Sequence, residues 1–385
     1  MSLRVLAGAA AALALALGPP QAGAAGAEDA PSAAAAEAPC DQAASGRCFI
    51  GFELPGAAGR LHYYASRGDA GTAEAGTAPT TALLVMHGHP RDANRSFDAG
   101  LRAARAAGRL GDTLVVAPLF QVGDADAARC RTRGVPAAEP GDALWTCGGW
   151  LEGAPSIGAR PIGAFAALDA LVAELHRRWP SLQTVTLAGF SAGAQMLQHG
   201  VGFAADPPPG LRLRYVIADP GSWLYFDPAR PQPQRGGQDV DWEACGRGDT
   251  FPGDCSFALQ APDGAACPGH DRWKYGTGSL PAALGRDAAQ ARARYAAAEI
   301  HYVEGALDSS ADKGTYYPIL DKSCAAMLQG PYRLQRGVAY AAYDRALLAP
   351  AQARQVTVVP GCAHDVGCVL PSDAARAVLF PTPRR

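Results

Sequence analysis

The chain has 385 residues, 48% of them hydrophobic and 18% charged, with 45 Gly, 31 Pro and 10 Cys. That apolar content can build a sizeable core, which excludes a disordered or collagen-like chain. Lysine and arginine total 34 against 36 acidic residues, a net charge of −2. Neither a basic nucleic-acid-binding stripe nor a strongly acidic solvating composition is present.

The first residues read as a secretory signal peptide over 1–24. Met1, Ser2, Leu3 and Arg4 form a short positive segment, and an apolar run of fourteen residues covers 5–18. Pro19-Pro20 then breaks the run, and Ala22-Gly23-Ala24 supplies a small-residue cleavage site, with Ala25-Gly26-Ala27 a second candidate. The run is too short to span a bilayer comfortably, and no later stretch is apolar enough to suggest an integral membrane segment in the mature chain. The Ala/Pro/Glu-rich residues that follow are expected to form a flexible lead-in over 25–47, before a folded domain over 48–385. All ten cysteines lie outside the leader and no C-x-x-C occurs, so disulfides in an exported chain, periplasmic or extracellular, are expected. Cys40–Cys48 and Cys130–Cys147 are the sequence-close pairings, although order alone does not fix connectivity.

From residue 82 the chain alternates apolar runs with helical periodicity. Strands are expected at 82–87 (ALLVMH), 113–117 (TLVVA), 184–188 (TVTLA), 215–218 (YVIA), 300–303 (IHYV) and 355–359 (QVTVV). Most are continuously apolar, as strands covered on both faces are. Helices are expected at 161–179, with Pro161 at the first helical position, and more briefly at 100–109 and 372–379. The alternation implies an α/β fold with a mostly parallel central sheet flanked by helices. Residues 219–297 break the rhythm. They are rich in Pro and Gly, hold three cysteines, and carry Trp223, Tyr225, Phe226, Trp242, Trp273 and Tyr275. A disulfide-bearing cap insertion between two core strands is the expectation, with 120–160 a smaller excursion.

Gly189-Phe190-Ser191-Ala192-Gly193 matches G-x-S-x-G. The pattern alone is weak, but here a strand runs into it and a helix-compatible stretch leaves it, which is the setting of a nucleophile elbow. Ser191 is then the candidate nucleophile, with the N–H of Ala192 facing the developing oxyanion. A serine nucleophile needs a base, and His364 follows the last strand in VPGCAHD, where the base of such a sheet returns to the serine. His199 and His301 fall within a helix and a strand, and His270 within the insertion. The orienting carboxylate is expected at Asp308, after IHYVEG. Asp219, heading ADPGSW, is the alternative acid, and Asp312 a further one. The second oxyanion donor is expected in His87-Gly88-His89-Pro90, from the N–H of His89 or else of Gly88, since Pro90 has none. His87 and His89 are two histidines without a third ligand at suitable spacing, so no metal or organic cofactor is implied.

Together MHGHPRDA, LAGFSAG, VEGALD and PGCAHD, in that order, resemble the secreted α/β-hydrolase superfamily over residues 82–370. More narrowly, LDKSCAAMLQGPYRLQRGVAY resembles a group of poorly characterised microbial and plant α/β-hydrolases. That group has a Cys-Ala-Ala…Gln-Gly-x-x-Arg segment before the histidine loop, and Asn-Pro-Ser-Ser where this chain has Asp219-Pro220-Gly221-Ser222. The resemblance implies the α/β-hydrolase fold and a Ser-His-Asp triad, and leaves the substrate open. The reading is a secreted serine hydrolase acting on a small-molecule or polymeric ester through an acyl-enzyme. The cap aromatics would favour an apolar acyl group or else serve as the insertion's own core. A peptidase or amidase on the same fold, or a catalytically silent hydrolase-like binding module, are the alternatives; a silent module usually lacks a triad member. Oligomeric state is open, and no nucleic-acid partner is expected.

Overall fold

The computed structural model describes residues 38–68 and 78–380, so the expected signal peptide and most of the lead-in lie outside the described residues. The last ten lead-in residues, 38–47, are not free: Cys40 is bonded to Cys48, and the Ala44 N–H donates to Asp98 at 2.7 Å.

Eight strands form the central sheet: β1 Phe49–Glu53, β2 Arg60–Ala65, β3 Thr81–Met86, β4 Thr113–Leu119, β5 Thr184–Phe190, β6 Arg212–Ala218, β7 Ile300–Gly305 and β8 Val356–Val359. Their spatial order is β1-β2-β4-β3-β5-β6-β7-β8. β1 pairs antiparallel with β2, and β2 with β4; every other neighbour is parallel. The apolar runs behave as expected of covered strands, since β4 and β5 are buried at every position. Alternate residues feed two layers. Leu84, Met86, Val185, Leu187 and Ile217 pack on one face, while Leu83, Val85, Ala188, Val216 and Val303 pack on the other.

Six helices matter to the site: α1 Ala93–Ala106, α2 Ala164–Arg178, α3 Ala192–Gly200, α4 Ala288–Ala297, α5 Arg333–Tyr343 and α6 Asp373–Leu379. α1 and α6 lie on one face, and α2, α3 and α5 on the other. α2 starts three residues after Pro161, with Gly163 as its N-cap. α6 begins where Ser372 accepts the Ala375 N–H at 3.2 Å. The β1–β2 hairpin and α5 had no sequence expectation. Each is short and carries polar residues that blur its period.

Between β6 and β7 the insertion holds more regular structure than its composition suggests. A three-stranded antiparallel sheet has Arg230–Arg235 at its centre, flanked by Gln238–Asp239 and Ser256–Gln260. Pro231 and Pro233 in a central strand mask it in sequence, because proline cannot donate to a ladder. The Val240 N–H donates to the Pro233 carbonyl at 3.0 Å, so these prolines face the side where the partner strand is only two residues long. Five disulfides join all ten cysteines: Cys40–Cys48, Cys130–Cys147, Cys245–Cys255, Cys267–Cys324 and Cys362–Cys368. That is the pattern of an oxidising, extracellular environment. Among the described residues no helix is long and apolar enough to cross a membrane.

Candidate active site

Ser191 stands between β5 and α3 at φ 56, ψ −122, a conformation costly for an L side chain. The crossing at this turn explains both glycines. A Cβ on Gly189 would come within 2.5 Å of the Ala194 nitrogen, and one on Gly193 within 2.5 Å of the His87 carbonyl oxygen. The Ser191 N–H donates to the Ala218 carbonyl at the end of β6 (3.0 Å), which fixes the turn to the sheet.

The structure brings Ser191, His364 and Asp308 into one hydrogen-bonded chain. Ser191 Oγ is 2.8 Å from His364 Nε2, and His364 Nδ1 is 2.7 Å from Asp308 Oδ2. Asp308 and His364 are buried, while Ser191 is partly accessible. His364 lies inside the small loop closed by Cys362–Cys368, and its N–H donates to the Gly314 carbonyl at 3.2 Å. The Leu307 N–H donates to the Cys362 carbonyl at 2.8 Å, lacing the acid loop to the histidine loop. Burial, reinforced by the Arg333 charge, holds the His364 imidazole below its ordinary range, against the pull of Asp308. The histidine is therefore neutral at pH 7, able to accept a proton at Nε2 when Nδ1–H faces Asp308.

At the end of β3, the Gly88 N–H is taken by Asp92 Oδ1 at 2.8 Å. Among the described residues, no hydrogen bond engages the N–H of His89 or of Ala192. His87 is fully buried. The Phe120 N–H donates to its Nε2 at 3.2 Å, and its Nδ1 lies 2.9 Å from the Gly88 carbonyl, which fits the Nδ1–H tautomer. Burial lowers its pKa to about 3. Both ring nitrogens are thus used in holding the loop, which leaves none for a metal.

Asp219, the alternative acid, points elsewhere: its Oδ1 accepts the Gly305 N–H at 2.8 Å. Asp312 is engaged by Ser310 at 2.8 Å. His199, His270 and His301 contact backbone carbonyls or Arg214 rather than Ser191. The insertion's aromatics divide. Trp223, Tyr225 and Phe226 are buried with Tyr295, Tyr340 and Tyr343 in the main core, so they are packing and not a substrate-facing surface. The exposed aromatic beside His364 is Tyr316, with ring centres 5.9 Å apart and the tyrosine 56% accessible.

Arg333 is a site residue that residue-type reasoning missed. It is buried on Asp308, with Nη1 3.3 Å from Oδ1, and it also donates to the Thr315 carbonyl at 2.7 Å. Its signal lay in the Gln329-Gly330-Pro331-Tyr332-Arg333 segment noted for its resemblance. Gln329 of the same segment brackets Trp223, accepting its N–H and donating to its carbonyl, both at 2.8 Å.

No family model matches the chain, and no curated protein does. Solved structures do. Poly(aspartic acid) hydrolase-1 from Sphingomonas sp. KT-1 aligns with TM-score 0.50 and 20% identity, over 86% of this chain and 98% of that one. LpqC, a poly(3-hydroxybutyrate) depolymerase from Bordetella parapertussis, aligns with TM-score 0.48 and 19% identity, over 86% and 94%. XC6422 from Xanthomonas campestris, an α/β serine hydrolase without a lid, aligns with TM-score 0.37 and 15% identity, over 87% and 96%. By the order and direction of its sheet strands and by this likeness to poly(aspartic acid) hydrolase-1, the chain has the α/β-hydrolase fold.

Proposed function

We propose that the chain is a secreted serine hydrolase that cleaves a carboxylic ester through Ser191, His364 and Asp308. The observation that carries this reading is the continuous chain from Ser191 Oγ through His364 to Asp308, at 2.8 and 2.7 Å, set on a strained strand–helix turn. In this reading the turn is a nucleophile elbow. Ser191 Oγ attacks the substrate carbonyl carbon while His364 Nε2 takes its proton. Asp308 holds the imidazole in the required tautomer and stabilises the imidazolium. The N–H groups of Ala192 and His89 receive the oxyanion. His364 then gives the proton to the departing alcohol, leaving an acyl-Ser191. A water, deprotonated by His364, attacks that acyl carbon and restores the serine.

The test is mass spectrometry of the purified protein after treatment with a fluorophosphonate, beside Ser191→Ala. One adduct on the Ser191 peptide, absent from the variant, is expected, and no adduct on the oxidised, folded protein would remove the reading. Because poly(aspartic acid) hydrolase-1 and LpqC are named for polymers, the substrate screen should run from short esters to polyesters and should include amides, the second reading. N-terminal sequencing of the exported protein checks cleavage after residue 24.

A further inference from the structure

Five large apolar side chains stand exposed among the described residues, and three of them, Leu307, Tyr316 and Ile319, lie on the loop that carries Asp308. Ile319 is the most open of the five, at 70% accessible. Single exposed apolar residues need no account, but a gathering of them at one place marks a contact surface. Tyr316 is also strained. It sits at φ 50, ψ 31, a left-handed conformation that a bulky side chain seldom adopts. Bonds to three successive carbonyls hold it there. The Gly314 carbonyl accepts the His364 N–H, the Thr315 carbonyl accepts Arg333 Nη1, and the Tyr316 carbonyl accepts the Ile319 N–H at 3.2 Å. Further on, Lys322 Nζ donates to the carbonyls of Tyr317, Pro318 and Leu320 at 3.1, 2.9 and 3.1 Å. Tyr316 and Ile319 are thus presented from a fixed backbone, and a pre-formed surface loses little freedom on binding. Glycine would hold this turn at less cost but would supply no ring.

The His364 imidazole decides what this surface meets. Buried Phe190 packs on it from the core, with ring centres 4.6 Å apart at 33°. Tyr316 meets it from the accessible side, at 5.9 Å and 67°. In the reaction proposed above, the oxyanion is held by the N–H groups of Ala192 and His89, after β5 and β3. The departing oxygen must instead come within reach of His364 Nε2 to take its proton. The alcohol therefore leaves past the imidazole, where Tyr316 is the accessible neighbour. We propose that Tyr316, with Ile319, is a specificity-determining contact for the alcohol half of the ester, and that it favours apolar alcohols of ring size. The inference rests on the serine-hydrolase reading above.

The experiment measures kcat/KM on two ester series. One is the acetates of methyl, n-butyl and benzyl alcohol, which are of similar acidity, so that leaving ability is held constant. The other is the methyl esters of acetic, butyric and phenylacetic acid. The wild type is compared with Tyr316→Gly, which removes the ring without forcing the left-handed turn, and with Tyr316→Phe. The wild type is expected to prefer benzyl acetate to methyl acetate, and Tyr316→Gly should lower that ratio about five- to tenfold. Tyr316→Phe should keep the ratio. The preference among acyl groups should stay as in the wild type. An equal slowing of every ester, or a loss that falls on the acyl series, overturns the inference.

If Tyr316→Gly does not fold, Ile319→Ser reads the same ratio from an exposed side chain. A smaller fall in the benzyl-to-methyl ratio is expected there, and an unchanged ratio overturns the inference. Labelling of Ser191 by a fluorophosphonate, run alongside, separates the two ways of failing. Absence of labelling, or of all ester hydrolysis, would remove the reading above and this inference with it. Labelling and ester hydrolysis with no preference among the alcohols would remove this inference alone.

Discussion

Arg333 and His364 share one carboxylate, and their competition for Asp308 should be measurable. The Arg333 charge lowers the imidazole, second only to burial, so Arg333→Met should let His364 hold its proton to higher pH. The acid limb of kcat/KM is then expected to move up by roughly half a unit to one unit. A limb that stays put, or moves down, would contradict that electrostatic role. Gly193→Ala is a sharper steric test, because the new Cβ would meet the His87 and Met86 carbonyl oxygens at 2.5 and 2.6 Å. Neither carbonyl is a flexible group that can yield, so the strand–helix crossing must open. A loss of Ser191 labelling with a lowered melting temperature is expected. These residues also show what was readable in advance. Ser191, His364 and Asp308 stood at strand ends within short distinctive motifs, and the structure brings the three together. The burial of Arg333 and Glu304 was not readable, although both stood within quoted motifs, since a buried charge is spelled with the same letters as a solvated one, and only packing against Asp308 or Gly337 reveals it.

Disulfides separate stability from site geometry at the scale of elements. Cys267–Cys324 closes a loop of 57 residues and ties the insertion to the turn before α5, whereas Cys362–Cys368 spans six around His364. Chain-entropy arguments assign about 4 kcal/mol to the first and about 2 kcal/mol to the second. The paired variant Cys267→Ala/Cys324→Ala should therefore show the larger drop in unfolding free energy. Cys362→Ala/Cys368→Ala should instead show the larger drop in kcat, because its loop aims the imidazole. Denaturant melts beside initial rates check both, and the reverse ranking would show that the backbone bonds to Gly314 and Leu307 hold the histidine unaided. Elements with a pure period were legible: β3, β5 and β6 read as continuous apolar runs, and α2 as a three-and-four repeat. The insertion's central strand was not, because Pro231 and Pro233 carry a loop signature yet face a side with almost no partner. The six insertion aromatics could not be divided between core and surface by sequence, since burial of Trp223 and Tyr225 is decided by α5, more than a hundred residues away.

Over the whole molecule, buried titratable groups set opposing slopes of stability against pH. Burial raises Asp92, Asp98, Asp169, Asp219 and Glu304, so the folded chain keeps protons that the unfolded chain sheds. Their contribution is complete below about pH 4 and is lost as pH rises through the folded values. Burial lowers His87 to about 3 and His199 to about 4, and lowers His364 as well. Their contribution is complete above about pH 6.5 and is lost as pH falls. The slopes oppose each other between about pH 4 and 6.5, and above that range only the carboxyl loss continues, so maximum stability is expected on the mildly acidic side. Asp169 isolates the effect away from the site. Its side chain, carried on α2, is raised to about 6 by burial, and its Oδ2 accepts the Ala205 N–H at 2.8 Å. Asp169→Asn keeps that acceptor and removes the charge that burial penalises. At about pH 7.5 the variant should be more stable by up to about 3 kcal/mol, and at about pH 4, where the aspartate is protonated in the folded chain, the gain should vanish. Denaturant unfolding at the two pH values decides it: an equal gain at both would assign the effect to packing, and a loss at pH 7.5 would mean that Arg286 and Arg294, which favour the charged form, outweigh burial.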